Sequence, residues 1–191
     1  MAAIVSEQKA FGTTRASILA ALETNWAASR LALFGESCQE LVPWGFVGVF
    51  DSSRLDILTE QSTGPIVAVY PASGLLRAAR RATGAPAYGP LTRTSDWVVD
   101  IRLHDFTLDP ASYFTLEDAG REGELVQEME NMNAIVIDII RKQLGKDNVT
   151  MLQGLNQENI YMASAPGQYG VILSARTLWT FTQETQSSFN N

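Results

Sequence analysis

Cysteine is almost absent from this chain: Cys38 is the only one in 191 residues. No intrachain disulfide can form, and a zinc site built from several thiolates is excluded. Gln39 and Glu40 follow Cys38 with no cation nearby, so it reads as an ordinary small side chain rather than an activated thiolate. Histidine is equally scarce, and any Ser or Cys triad with an imidazole base would have to use His104. Positive charge is in deficit, 14 Lys and Arg against 21 Asp and Glu for a net charge of −7, which argues against broad binding to phosphate backbones. No run approaches the ~18 uninterrupted apolar residues of a membrane-spanning helix. The first residues carry Glu7 and Lys9 within a short apolar run and lack a signal-peptide layout, so the expectation is synthesis in the cytoplasm. There is no internal repeat, low-complexity linker or dinucleotide-binding glycine fingerprint. Gly145-Lys146 lacks the preceding glycine and following hydroxyl residue of a phosphate-binding loop.

What is present is an apolar fraction of 46%, enough for one sizeable core in one domain. Thr13 or Thr14 can cap a helix in which Ile18, Leu22 and Trp26 share a face, fading near Gly35. Trp44, Phe46, Val47, Val49 and Phe50 then supply strand content, with Pro43 marking a strand start or edge. Ile66, Val67, Ala68, Val69 and Tyr70 form a continuous apolar run, expected as a central strand covered on both faces. Residues 71–95 are punctuated by Gly74, Gly84, Pro86, Gly89 and Pro90 and read as a long projecting loop.

Trp97, Val99, Ile101 and Leu103 alternate with Asp100, Arg102 and His104, predicting a strand with one apolar and one wet face, Val98 being the exception. It pairs as a hairpin with the strand after Pro65, the loop forming the tip. Thr115 and Asp118 have capping-box spacing, but Gly120 and Gly123 weaken a helix there. The long helix is therefore placed from Glu124, with Leu125, Met129, Met132, Val136, Ile139 and Ile140 on one stripe ending at Leu144. Short strands are expected at 149–152 and 160–162, and a clearer one at 171–181 with Leu173, Ala175, Trp179 and Phe181 on one face. The resulting fold class is α+β: a single domain with a mixed or antiparallel sheet packed by an N-terminal helix and one long helix. Its divisions are an N-terminal arm at 1–13, a domain at 14–181 and a polar tail at 182–191 that orders on binding.

Candidate chemistry is sparse. His104 stands beside Asp105, but consecutive strand residues point to opposite faces, so Asp105 is badly placed to orient the imidazole, and a structural or solvent-facing histidine is the simpler reading. His104, Asp105, Asp109, Glu117 and Asp118 could in principle gather around a hard cation. They belong, however, to an acidic stretch over 96–130, with Glu124 and Glu128 on one helical face, that reads as a solvated surface or one awaiting a basic partner. No catalytic residue, metal ligand or cofactor is assigned. Arg77, Arg80, Arg81 and Arg93 lie in a segment without acids; they read either as solvated arginines or as the basic half of a head-to-tail contact with the acidic region, Glu124 and Glu128 included, of a neighbour. Direct DNA contact fits less well, because no row of stacking aromatics is interleaved with them. Trp26, Trp44, Trp97 and Trp179 all sit in apolar patterns and are expected in the core.

Taken together, the Ile18 helix, the strands over 65–70 and 97–106, the long helix over 125–144 and the final strand over 171–181 resemble the tail-terminator and neck, or tail-completion, proteins of long-tailed bacteriophages. The likeness is one of pattern and carries no signature peptide; the 71–95 excursion and the extended 34–44 segment depart from it. The resemblance implies a noncatalytic virion protein that forms a ring, commonly a hexamer. It would end tail-tube growth and dock the tail to the head-side connector. Its partners would be copies of itself, the tail-tube protein and connector or neck proteins, with DNA only passing through the lumen and no membrane. It would be located in the host cytoplasm during assembly and in the tail or neck of the virion thereafter. Other noncatalytic components, such as a baseplate or head-completion protein, share these traits, and a small hydrolase using His104 or the acidic cluster is the enzymatic alternative.

Overall fold

The computed structural model describes residues 2–38, 41–49, 51–62, 64–72, 77–80, 91–105, 116–144, 149–165 and 168–185. In chain order these form α1 (Ala2–Phe34), a 3-10 turn (Gly35–Cys38), β1 (Gly45–Gly48), α2 (Ser52–Gln61), β2 (Ile66–Pro71), β3 (Arg77–Arg80), β4 (Leu91–Asp105), α3 (Leu116–Gln143), β5 (Val149–Ala165) and β6 (Gln168–Thr185). The fold is α+β with a mixed sheet in the order β1-β2-β4-β6-β5, and β3 pairs with β4 beside that path. β1 and β2 run parallel, and every other pairing is antiparallel.

One face of the sheet carries α1 and α3, which also pack on each other; the other carries α2 against β2 and β4. The continuous apolar run of β2 follows from this. Val67 and Val69 join Ile18, Leu22, Trp26 and the α3 stripe on the first face. Ile66, Ala68 and Tyr70 join Leu55 of α2 and Val49 on the second. Val98, the exception to the β4 alternation, packs against that second cluster. Trp97, Val99, Ile101 and Leu103 lie in the first, facing Trp179, Thr177, Ala175 and Leu173 of β6 in register. The Trp97 and Trp179 indoles are buried, and each donates its N–H to a hydroxyl two residues back, Ser95 at 2.9 Å and Thr177 at 2.8 Å. A buried indole needs such a partner.

α1 begins at Ala2 rather than at Thr13 or Thr14, so the expected N-terminal arm is helical; it ends where Gly35 takes φ 69°, a conformation that favours glycine. Trp26 anchors its later turns by donating to the Leu41 carbonyl and by an edge-on contact with Phe46 of β1 at 5.4 Å. α1 and α3 are also pinned by the buried Ser29 hydroxyl, which donates to Asp138; Lys142 pairs with the same carboxylate. Lys142 and Ser29 together hold the Asp138 carboxyl below the usual carboxylate range.

Several expectations need correction. α2 is a helix that no apolar pattern in the sequence predicts. Asp51 caps it by accepting from the Arg54 N–H, and the parallel pairing of β1 with β2 requires such a crossover. The 71–95 segment is not loop throughout: β3 forms within it, and β4 starts at Leu91 because β6 offers it a partner for its whole length. α3 starts at Leu116, passing through Gly120 and Gly123. The short strands at 149–152 and 160–162 are parts of β5, held together by pairing with β6 across register shifts. β6 runs to Thr185, so the expected tail starts later than 182; residues 186–191 lie outside those described. Trp44 is not core, as its side chain is about half exposed.

Candidate functional site

The alternation of β4 predicts a wet face through Asp100 and Arg102, and the structure overturns this: they are 0% and 1% exposed. They sit on the α2 face of the sheet, where Ala68, Asp100 and Arg176 lie side by side across β2, β4 and β6, next to the row of Ile66, Arg102 and Ser174. The Asp100 carboxylate gathers five donors. Oδ1 accepts from Ser174 Oγ at 2.9 Å and Arg102 Nε at 3.2 Å. Oδ2 accepts from Tyr70 OH at 2.9 Å, Arg176 Nε at 3.1 Å and Arg102 Nη2 at 3.3 Å. Burial, and then the negative charge of Asp100, push the Tyr70 phenol well above its ordinary range, so it remains a donor.

This arrangement ties three strands through one carboxylate. Its acceptor capacity is taken up, which suits a framework and leaves little for proton abstraction. Two guanidinium groups against one carboxylate give these side chains a net positive charge, and Arg176 reaches the surface with 27% of its side chain exposed. Its trace in the sequence is the complementary pair Asp100-x-Arg102 and Ser174-x-Arg176, legible only once β4 and β6 are known to be neighbours. Asp96 is likewise tied rather than solvated, accepting from Thr180 Oγ1 at 2.6 Å.

The structure brings some of the predicted site residues together. Arg77 and Arg80 of β3 pair with Thr94 and Thr92 of β4, on either side of Arg93, so these three arginines share one patch of backbone. Their side chains lie outside the described part, as does Arg81 entirely. Glu124 is exposed and Glu128 half-buried on α3, which packs on β4 and β6. His104 pairs with Ile172 and Asp105 with Val171 in the β4–β6 ladder, while their side chains, that of Asp118 and all of Asp109 lie outside the described part. Among the described residues no group of three or more His, Cys, Asp or Glu could hold a metal ion, and no helix is long and apolar enough to cross a membrane.

The surface has a second notable feature in its two terminal strands, β1 and β5, each with one partner among the described strands. Beside β1 the chain exposes Val42 and Trp44, 55% and 51% accessible. No protein-family model matches this chain, and no curated protein matches it.

Proposed function

We propose that this protein is a structural virion component, a ring-forming tail terminator or neck protein of long-tailed phages that ends tail-tube growth and docks the tail to the head connector. The observation that carries the reading is the arrangement of elements. An N-terminal helix and a long helix pack side by side on one face of a mixed sheet, and the last strand, β6, occupies an interior position. What the resemblance itself implies is a first amphipathic helix, a long helix packed on the sheet and a closing strand. The saturated Asp100 cluster supports a scaffold role, and the exposed Trp44 supports contact with another protein surface.

The mechanism is geometric. A head-to-tail contact repeated by rotation closes a ring, and a ring whose upper face differs from that of the tube blocks further addition. Arg77, Arg80, Arg81 and Arg93 supply the basic side of a contact whose acidic side includes Glu124 and Glu128 of a neighbouring copy. The test is to add the purified protein to polymerising tail-tube protein of the same phage and measure tube length by electron microscopy. Shortened tubes bearing a ring at one end are expected. Tubes of unchanged length with no bound ring would count against the reading. Replacing Arg77, Arg80 and Arg81 with Glu is expected to weaken ring formation or docking; unchanged assembly and infectivity would remove the arginines from the interface.

A further inference from the structure

We infer that ring subunits, in addition to the arginine-to-acid contact, join by a strand addition in which the β5 edge of one copy meets the β1 edge of the next. The inference rests on the ring-forming reading above and names its surface. Among the described strands β1 and β5 are the terminal ones; terminal strands present unpaired N–H and C=O groups, and proteins ordinarily guard them with charge, proline or cover. Here both edges are nearly free of charge. Residues 41–50, which contain β1, hold no charged side chain and one proline, Pro43, which lies before the strand, and the 17 residues of β5 hold only Glu158 and no proline.

In a chain of net charge −7, copies repel wherever acids face each other, so neutral edges are the surfaces on which two copies meet most easily. Trp44 adds an anchor beside β1. Its side chain is exposed, yet its backbone is fixed by donation to the Pro65 carbonyl at 2.6 Å. Fixed, exposed aromatics are the kind of residue that dominates interface energetics. Because β1 and β5 are unlike edges at opposite ends of one sheet, their union is heterologous. Each copy gives one edge and receives the other, which is the condition for a closed ring.

The test uses the full chain with Cys38→Ser as background. One preparation carries Gly45→Cys, a position where an added Cβ meets nothing within 4 Å. Others carry Met151→Cys, Gln153→Cys, Gln157→Cys or Tyr161→Cys along β5. Mixed with a β5 variant and oxidised, the Gly45→Cys protein is expected to form a disulfide to it in preference to like-with-like products. A Trp44→Lys variant is expected to lower the ring fraction at least about tenfold while keeping its circular dichroism and melting temperature. Rings that give no β1-to-β5 cross-link, that cross-link β5 to β5, or that survive Trp44→Lys would overturn the inference and leave the ring reading standing. A protein that remains monomeric alone and with tail tubes would overturn both.

Discussion

Asp100 is the residue on which the second face of the sheet depends. Removing it would take from the buried Arg102 guanidinium the carboxylate it pairs with, and breaking a buried pair in this way costs roughly 3–5 kcal/mol. Asp100→Ala is therefore expected to lower the urea midpoint strongly, with the slope of the transition unchanged. Tyr70→Phe removes one of five donors and is expected to cost about 1–3 kcal/mol, because the bond is to a charged acceptor. The same phenol makes a pH prediction. Its folded pKa is raised, so above about pH 10 the unfolded chain loses a proton that the folded chain keeps, and stability falls as pH rises. Alkaline urea titrations should show that fall in the native protein and less of it in Tyr70→Phe; identical slopes in the two would contradict the assignment.

The elements show which parts of the fold are legible in sequence. β2 and the α3 stripe were readable because burial on both faces, or along one helical stripe, leaves an apolar pattern that needs no knowledge of neighbours. α2 was not, because among its described side chains Leu55 is the one fully buried apolar group, Leu58 only borders the core and Ile57 is exposed, so no apolar stripe marks it. The signals it does carry are the Asp51 cap and the crossover that parallel strands need. The continuity of β5 and the early start of β4 come from pairing with β6, which is a long-range property. The ionic cluster was hidden for the same reason: Asp100 and Arg102 look solvated on an isolated strand and become buried only when β2, β6 and α2 surround them. At this scale Gly48 makes a prediction. A Cβ there would stand 3.1 Å from both Arg15 Cδ and Leu19 Cδ1, so Gly48→Ala forces these two side chains of α1 to shift. The expected cost is about 1–3 kcal/mol, less if the Arg15 side chain swings aside. Asp51→Ala is expected to increase amide exchange in the first turn of α2 before the rest of the protein, since it removes the acceptor for the Arg54 N–H.

At the scale of the whole molecule, the α+β class and the α1, β2, β4 and α3 packing were available from residue patterns, whereas the surface that defines a partner was not. Trp44 sat in an apolar pattern and read as core; it is exposed because it precedes a terminal strand, a fact of sheet order. The central claim is assembly, and the most direct measurement is the solution mass of the full chain across a concentration series, with negative-stain imaging of any assembled fraction. The account predicts a concentration-dependent shift from monomer to one closed species, seen as rings with a central opening. A monomer at every concentration, with no ring even when tail tubes are present, would contradict it.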